Sequence, residues 1–188
     1  DEDKQIRKVE LENPVIGAFT LRVQLLGAGL NIYIEQHEVS SVVYTREISK
    51  MIDVRRKEVI RTFQTRLVTH VEADDTVEIV GADSSLTTGV GQADIRAITY
   101  QDGSAYFDQG RLWFTMTARG RLLPHPMQGV FSLNPSVFDP RLEGFIVFDR
   151  NDGLLRNEVA SHVFYDSESK EWRGITVGFS AYGDPDKK

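Results

Sequence analysis

Asp102-Gly103-Ser104-Ala105-Tyr106-Phe107-Asp108-Gln109-Gly110-Arg111-Leu112-Trp113-Phe114 is the stretch on which the reading of the fold turns. Aromatic and large apolar residues stand on both sides of a short polar corner, Asp108-Gln109-Gly110, which supplies glycine where a backbone must reverse. That composition predicts a β-hairpin over Asp102–Thr117. Two other stretches read the same way: Ala18–Glu35 about Gly27-Ala28-Gly29, and Ala160–Ser180 about Asp166-Ser167-Glu168-Ser169-Lys170.

The second and third hairpins resemble each other. Ala105-Tyr106-Phe107-Asp108 leads to Trp113, and Val163-Phe164-Tyr165-Asp166 leads to Trp172, so each is a strand, an Asp-led turn and a strand opened by an aromatic. A repeated β-meander leaves such a trace. More strand-forming sequence follows at Ser41–Thr45, Gly129–Leu133 and Gly144–Phe148. A four-strand unit therefore reads from Ala97 to Arg150, with Asn134-Pro135 and Asp139-Pro140 punctuating its outer strands. The expectation is an all-β chain, a single domain over residues 1–188, built of repeated four-stranded antiparallel meanders like the blades of a β-propeller. After the third hairpin the chain runs into Tyr182-Gly183-Asp184-Pro185-Asp186, so the ring is expected to be incomplete. Because an open ring exposes strand edges and apolar faces, the chain is expected to belong to a larger protein or to pair with another chain.

One segment departs from this pattern. Ile48, Met51, Ile52, Val59, Ile60 and Phe63 recur near helical spacing, which predicts an amphipathic helix over Ser49–Thr62. The β-branched Val54, Val59 and Ile60 equally suit an irregular strand pair. Asp83–Gln92 and Leu122–Met127 read as loops.

Composition narrows the function. Hydrophobic residues at 40% and charged residues at 27% are those of a folded globular chain. A net charge of −6 argues against nucleic acid as a partner, because phosphate neutralisation needs clustered Lys and Arg. A neutral sugar suits this balance. The absence of Cys excludes disulfides, thiolate metal sites and cysteine nucleophiles. It leaves the compartment open, an extracellular or periplasmic one being favoured over the cytoplasm. Asp1-Glu2-Asp3-Lys4 is not followed by an apolar core, so no signal peptide is expected in this stretch, and no apolar run reaches the roughly 18 residues that span a bilayer.

The stretch from Asp102 to Phe114 resembles the inner hairpin of the five-bladed β-propeller glycoside hydrolases, the superfamily of arabinanases, xylosidases and β-fructosidases. Asp102 matches the Asp that opens a blade there, with Gly103 in place of the usual Pro. Arg156-Asn157-Glu158-Val159-Ala160-Ser161-His162-Val163 is similar to the start of a later blade, where an acidic residue and a His face the central cavity. The resemblance covers Ala93 to Ser180 and implies a glycan-cleaving site. Asp102, Glu158 and His162 are the site residues it implies; Asp94 joins the two carboxylates as an acidic residue near the expected inner strands, and Arg96, Arg156 and Trp113 join His162 as candidate substrate-binding groups.

Glycoside cleavage needs one carboxyl group as acid and a second as base or nucleophile on the other side of the bond. Each candidate also has an ordinary reading: Asp102 as a turn residue before Gly103, Asp94 as a partner of Arg96, Glu158 as a solvated carboxylate, His162 as a structural histidine. Tyr106, Trp113, Tyr165 and Trp172 offer flat rings on which sugar C–H faces stack, or they pack between sheets. His37, His70 and His125 are scattered and form no zinc spacing. Asp149-Arg150-Asn151-Asp152-Gly153 opens like a calcium loop but lacks the bidentate Glu, so a structural calcium is the only cofactor considered. Gly-x-Ser-x-Gly and phosphate-binding loops are absent. Two alternatives stand beside the hydrolase: a non-catalytic propeller module that binds glycan or protein, and a structural subunit completed by a partner chain.

Overall fold

The computed structural model of the chain describes residues 10–12, 14–121 and 126–177. The charged start Asp1–Lys4, His125 with most of the Leu122–Met127 loop, the end of the third hairpin after Val177, and Tyr182–Asp186 lie outside the described residues.

The chain is all-β and mainly antiparallel. In order it forms β1 (Thr20–Leu26), β2 (Gly29–Gln36), β3 (Val39–Glu47), α1 (Lys57–Thr62), β4 (Gly91–Ala97), β5 (Thr99–Tyr100) and β6 (Phe107–Asp108). It continues with β7 (Arg111–Arg119), β8 (Met127–Asn134), β9 (Asp139–Ile146), β10 (Phe148–Asp149), β11 (Leu155–Arg156), β12 (Val159–Asp166) and β13 (Glu171–Val177). All three predicted hairpins are present, as β1–β2, β6–β7 and β12–β13. Their corners follow local chemistry: Gly27 takes φ +56° between the paired Leu26 and Gly29, and Gln109 (φ +50°) and Gly110 (φ +74°) close the turn between Asp108 and Arg111. Such left-handed φ values give two-residue hairpins the twist of their strands.

The propeller-like arrangement is not what the described residues form. Their sheets close into neither a ring nor a barrel, and the strand orders are β1-β2-β3, β10-β11, β13-β12-β5 and a five-stranded sheet β4-β7-β8-β9 with β6 on β7. The four-strand unit expected from Ala97 starts earlier, at Gly91, because β4 and not the Asp102 segment supplies its first long strand. The third hairpin gains β5 as a parallel neighbour, with Phe164 opposite Thr99 and Tyr165 opposite Tyr100. A parallel partner needs a crossover, so this sheet is no meander. Pro140 stands within β9, opposite Leu133, where an edge strand tolerates its missing N–H. The helix is also shorter than Ser49–Thr62. Met51 and Ile52 both donate to the Ile48 carbonyl in a turn, and helical backbone begins only at Lys57 and ends before Phe63, which is extended at φ −65°, ψ 126°.

The large sheet and the β12–β13 hairpin meet along a polar seam. Among the described residues, Gln128 and Thr115 at this seam are two of the largest fully buried side chains. Thr115 Oγ1 donates to the Ser161 carbonyl at 2.9 Å, the Ser161 N–H donates to Gln128 Oε1 at 2.9 Å, and Ser161 Oγ donates to Thr176 Oγ1 at 2.8 Å. Buried hydroxyls and amides are tolerated where they find partners, and these fix the sheets' relative register. Phe114 and Phe131 add a stacked apolar contact across β7 and β8, ring centroids 5.6 Å apart.

The first sheet is inverted relative to ordinary patterning. Leu21, Val23 and Leu25 on β1 stand opposite Ile34, Ile32 and Leu30 on β2, and the three β1 side chains are exposed. The other face carries the buried Asn31, which accepts from Thr45 Oγ1, and Gln24, which donates to Thr87 Oγ1.

Candidate functional site

The candidate site grows from the hairpin corner at Asp108. Ile98, Tyr106 and Trp113 are laced by backbone bonds: the Tyr106 N–H donates to Ile98 at 2.8 Å, the Ile98 N–H to Trp113 at 2.9 Å and the Trp113 N–H to Tyr106 at 3.3 Å. Pairing of β5 with β12 brings Tyr165 beside Tyr100, and the β12–β13 register sets Trp172 opposite Tyr165. Four rings from separate segments then converge. Trp172 lies 5.0 Å from Tyr106 at 73° and 4.9 Å from Tyr165 at 51°, and Tyr100 lies 5.2 Å from Tyr106 at 52°. Tilted and edge-on contacts at these distances suit the ring quadrupoles and hold the cluster rigid.

Beside this cluster is a cavity of about 400 Å³ walled by Tyr106, Trp113, Trp172, Ile98, Val163 and Asp108, among others. Trp172 is 52% exposed, so its ring is partly open to solvent. Trp113 Nε1 is buried and has no hydrogen-bond partner among the described residues. Among the described residues, Asp108 is the one carboxylate in the wall. Loss of solvation first, and then the Asp108 charge, push the Tyr106 phenol above its usual range, so it stays a neutral donor across physiological pH. The wall thus combines flat apolar rings, an indole N–H without a partner and a single acceptor carboxylate. Such a wall offers a ligand flat apolar surface, one N–H donor and one acceptor.

The predicted carboxylates do not assemble as a facing trio. Asp102 is at the exposed corner after β5, where its Oδ1 accepts from the Ser104 N–H at 2.9 Å and Ser104 Oγ at 2.6 Å. Those Ser104 bonds hold its carboxyl below the usual range, as in any Asx turn. Glu158 precedes β12 at its opposite end, 2% exposed and ion-paired at 2.9 Å to Arg150. Since β12 runs parallel to β5 and ends level with it, Asp102 and Glu158 are separated by nearly the length of that strand, on the order of 20 Å. Catalytic pairs stand roughly 5–10 Å apart. Asp94 lies at the Glu158 end of the seam, exposed, at φ +56° in a β4 bulge, accepting from Thr117 Oγ1 at 3.1 Å.

Of the substrate-binding candidates, only Trp113 lines the aromatic cavity. Arg96 is exposed on β4. Arg156 is buried, held by Asp152 at 2.7 Å, and belongs to the wall of a second cavity. His162 is exposed on the other face of β12, its Nε2 3.3 Å from Thr99 Oγ1, while Val163 points to the cavity. The calcium-like segment is the corner between β10 and β11: Asp149 is ion-paired to Lys57 and accepts from the Asn151 N–H, and Asp152 accepts from Arg156 and the Leu154 N–H. Among the described residues no group of three or more His, Asp or Glu is placed to hold a metal ion.

Asp108 was readable only as a turn residue, because nothing local signals that β6 carries it into a wall with Trp172. Compared with protein families, curated proteins and solved structures, the chain matches none.

Proposed function

We propose that this chain is a glycan-binding module whose binding surface is the aromatic cavity. Trp172 offers a ring face, the Tyr106 hydroxyl and Trp113 Nε1–H act as donors, and Asp108 accepts from sugar hydroxyls. The observation that carries this reading is the placement of an unpartnered buried indole N–H, two further aromatics and one carboxylate around a single cavity of about 400 Å³. Stacked rings supply affinity and the polar groups orientation. Binding without cleavage is the form that fits best, because Asp108 is the one carboxylate of the wall among the described residues. No ring of blades is required.

Calorimetric titration with a panel of neutral oligosaccharides, run beside a reducing-end assay, tests it. Binding that is lost in Asp108→Ala and kept in Asp102→Ala, with no new reducing ends, is expected. Release of reducing ends that stops on replacing Asp102 or Glu158 would restore the hydrolase reading.

The apolar face formed by Leu21, Val23, Leu25, Leu30, Ile32 and Ile34 favours a second reading, a subunit completed by another chain. Exposed patches of that kind mark association surfaces. Native mass spectrometry of protein purified from its source, showing a stable complex that Val23→Lys disperses, is the expected result; a monomer throughout would contradict it.

A further inference from the structure

A second cavity, of about 460 Å³, lies where the end of β1, the helix α1 and the start of β8 meet. Its wall is mostly apolar, with Leu25, Ile60, Phe63, Met127, Phe145 and Leu155 among the residues that form it. Asn157 also belongs to this wall and is 6% exposed. Its Nδ2 donates to the Pro126 carbonyl at 2.5 Å, which fixes the amide's orientation, whereas Oδ1 is buried with no hydrogen-bond partner among the described residues. Two arginines of the same wall, Arg55 and Arg156, are each matched by a carboxylate: Arg55 by Asp53 through Nε and Nη2, both at 2.9 Å, and Arg156 by Asp152 at 2.7 Å. The two guanidinium charges of the wall are therefore balanced, and among the described residues the unmet polar group of the wall is the Asn157 acceptor.

From this we infer that the cavity binds a small, neutral, apolar molecule carrying one hydroxyl or amide N–H, which donates to Asn157 Oδ1 while its hydrocarbon body lies against Phe63, Phe145 and Leu155. A buried acceptor without a donor is rare in folded proteins and is most often met by a ligand or an ordered water. The volume is that of an ordinary small-molecule site, and its apolar wall with one fixed polar group is the usual division between affinity and orientation. This site is separate from the aromatic cavity and does not depend on the glycan reading.

The probe is 1-octanol, compared with methyl octyl ether, which has a similar body and no donor. In a titration followed by ¹H–¹⁵N NMR, octanol is expected to saturate one site, to shift the Asn157 side-chain amide and the Leu25 and Phe145 backbone amides, and to bind about tenfold more tightly than the ether. Asn157→Leu should erase that difference, and Phe145→Trp, which fills the cavity and keeps the acceptor, should weaken both probes. Equal affinity of the two probes for the unaltered protein, or shifts confined to residues outside this wall, would overturn the inference. Non-saturable binding would do so as well.

Discussion

Trp172 meets Tyr106 with ring centroids 5.0 Å apart and planes at 73°, although one residue stands second in β13 and the other just before β6. The contact joins the two hairpins whose sequences resemble each other, and it forms one side of the aromatic cavity. Trp172→Ala removes the exposed ring face and is expected to weaken oligosaccharide binding at least tenfold with little loss of fold, since Trp172 is half exposed. Calorimetry, with circular dichroism as the control for folding, reads both.

Gly89 is a second fixed point. It adopts φ +75°, and a Cβ placed there would collide with the Arg119 carbonyl oxygen, the acceptor of the Val90 N–H that starts the β4–β7 pairing. Gly89→Ala is expected to cost more than about 2 kcal/mol, through left-handed strain and a backbone clash together. Urea unfolding measures this; a loss below about 0.5 kcal/mol would mean that β4 is not docked as described.

The β2–β3 turn carries the opposite opportunity. His37 at φ +51° and Glu38 at φ +64° both take the left-handed conformation between the paired Gln36 and Val39. Such a turn prefers Asn-Gly. Replacing His37 by Asn and Glu38 by Gly is expected to stabilise the chain by about 1 kcal/mol, visible as a higher urea midpoint with an unchanged slope.

Acid should loosen the corner between β10 and β11. The Arg156 guanidinium lowers the Asp152 carboxyl from 3.8 to about 2, so the folded state binds this proton less readily than the unfolded chain. Its contribution is fully present above about pH 4 and is lost as the pH falls through about 2. Asp152 is on the surface, so the effect is modest and screened by salt. Thermal unfolding between pH 5 and 2 is expected to fall less steeply for Asp152→Asn than for the unaltered chain.

The hairpins were legible because turn chemistry and strand composition are local: Gly27, Gly110 and the Asp166–Lys170 corner all sit where the sequence places them. The arrangement of sheets was not. Pairing of β5 with β12 involves two residues on each side and leaves no periodic trace, yet it decides that Tyr100 and Tyr165 share the site. Alternation along β12 does not say which face meets a cavity: His162 is expected to face one with Ala160 and Phe164, and it is Val163 that lines the aromatic cavity. Nothing local marks Thr115, Thr117, Gln128 and Ser161 as buried, because the partners of these polar groups lie on other strands. The family resemblance pairs Asp102 with Glu158, and nothing local signals the β5–β12 register that sets them near opposite ends of β12.

The most direct measurement uses the chain's two tryptophans, which give two indole N–H resonances in a ¹H–¹⁵N spectrum. On titration with a neutral oligosaccharide that binds, the Trp113 resonance is expected to move as Nε1–H gains an acceptor, and the Trp172 resonance to move with it. If every oligosaccharide in the panel leaves both resonances in place, or a bound sugar shifts only residues remote from Asp108, the aromatic cavity is not a glycan site.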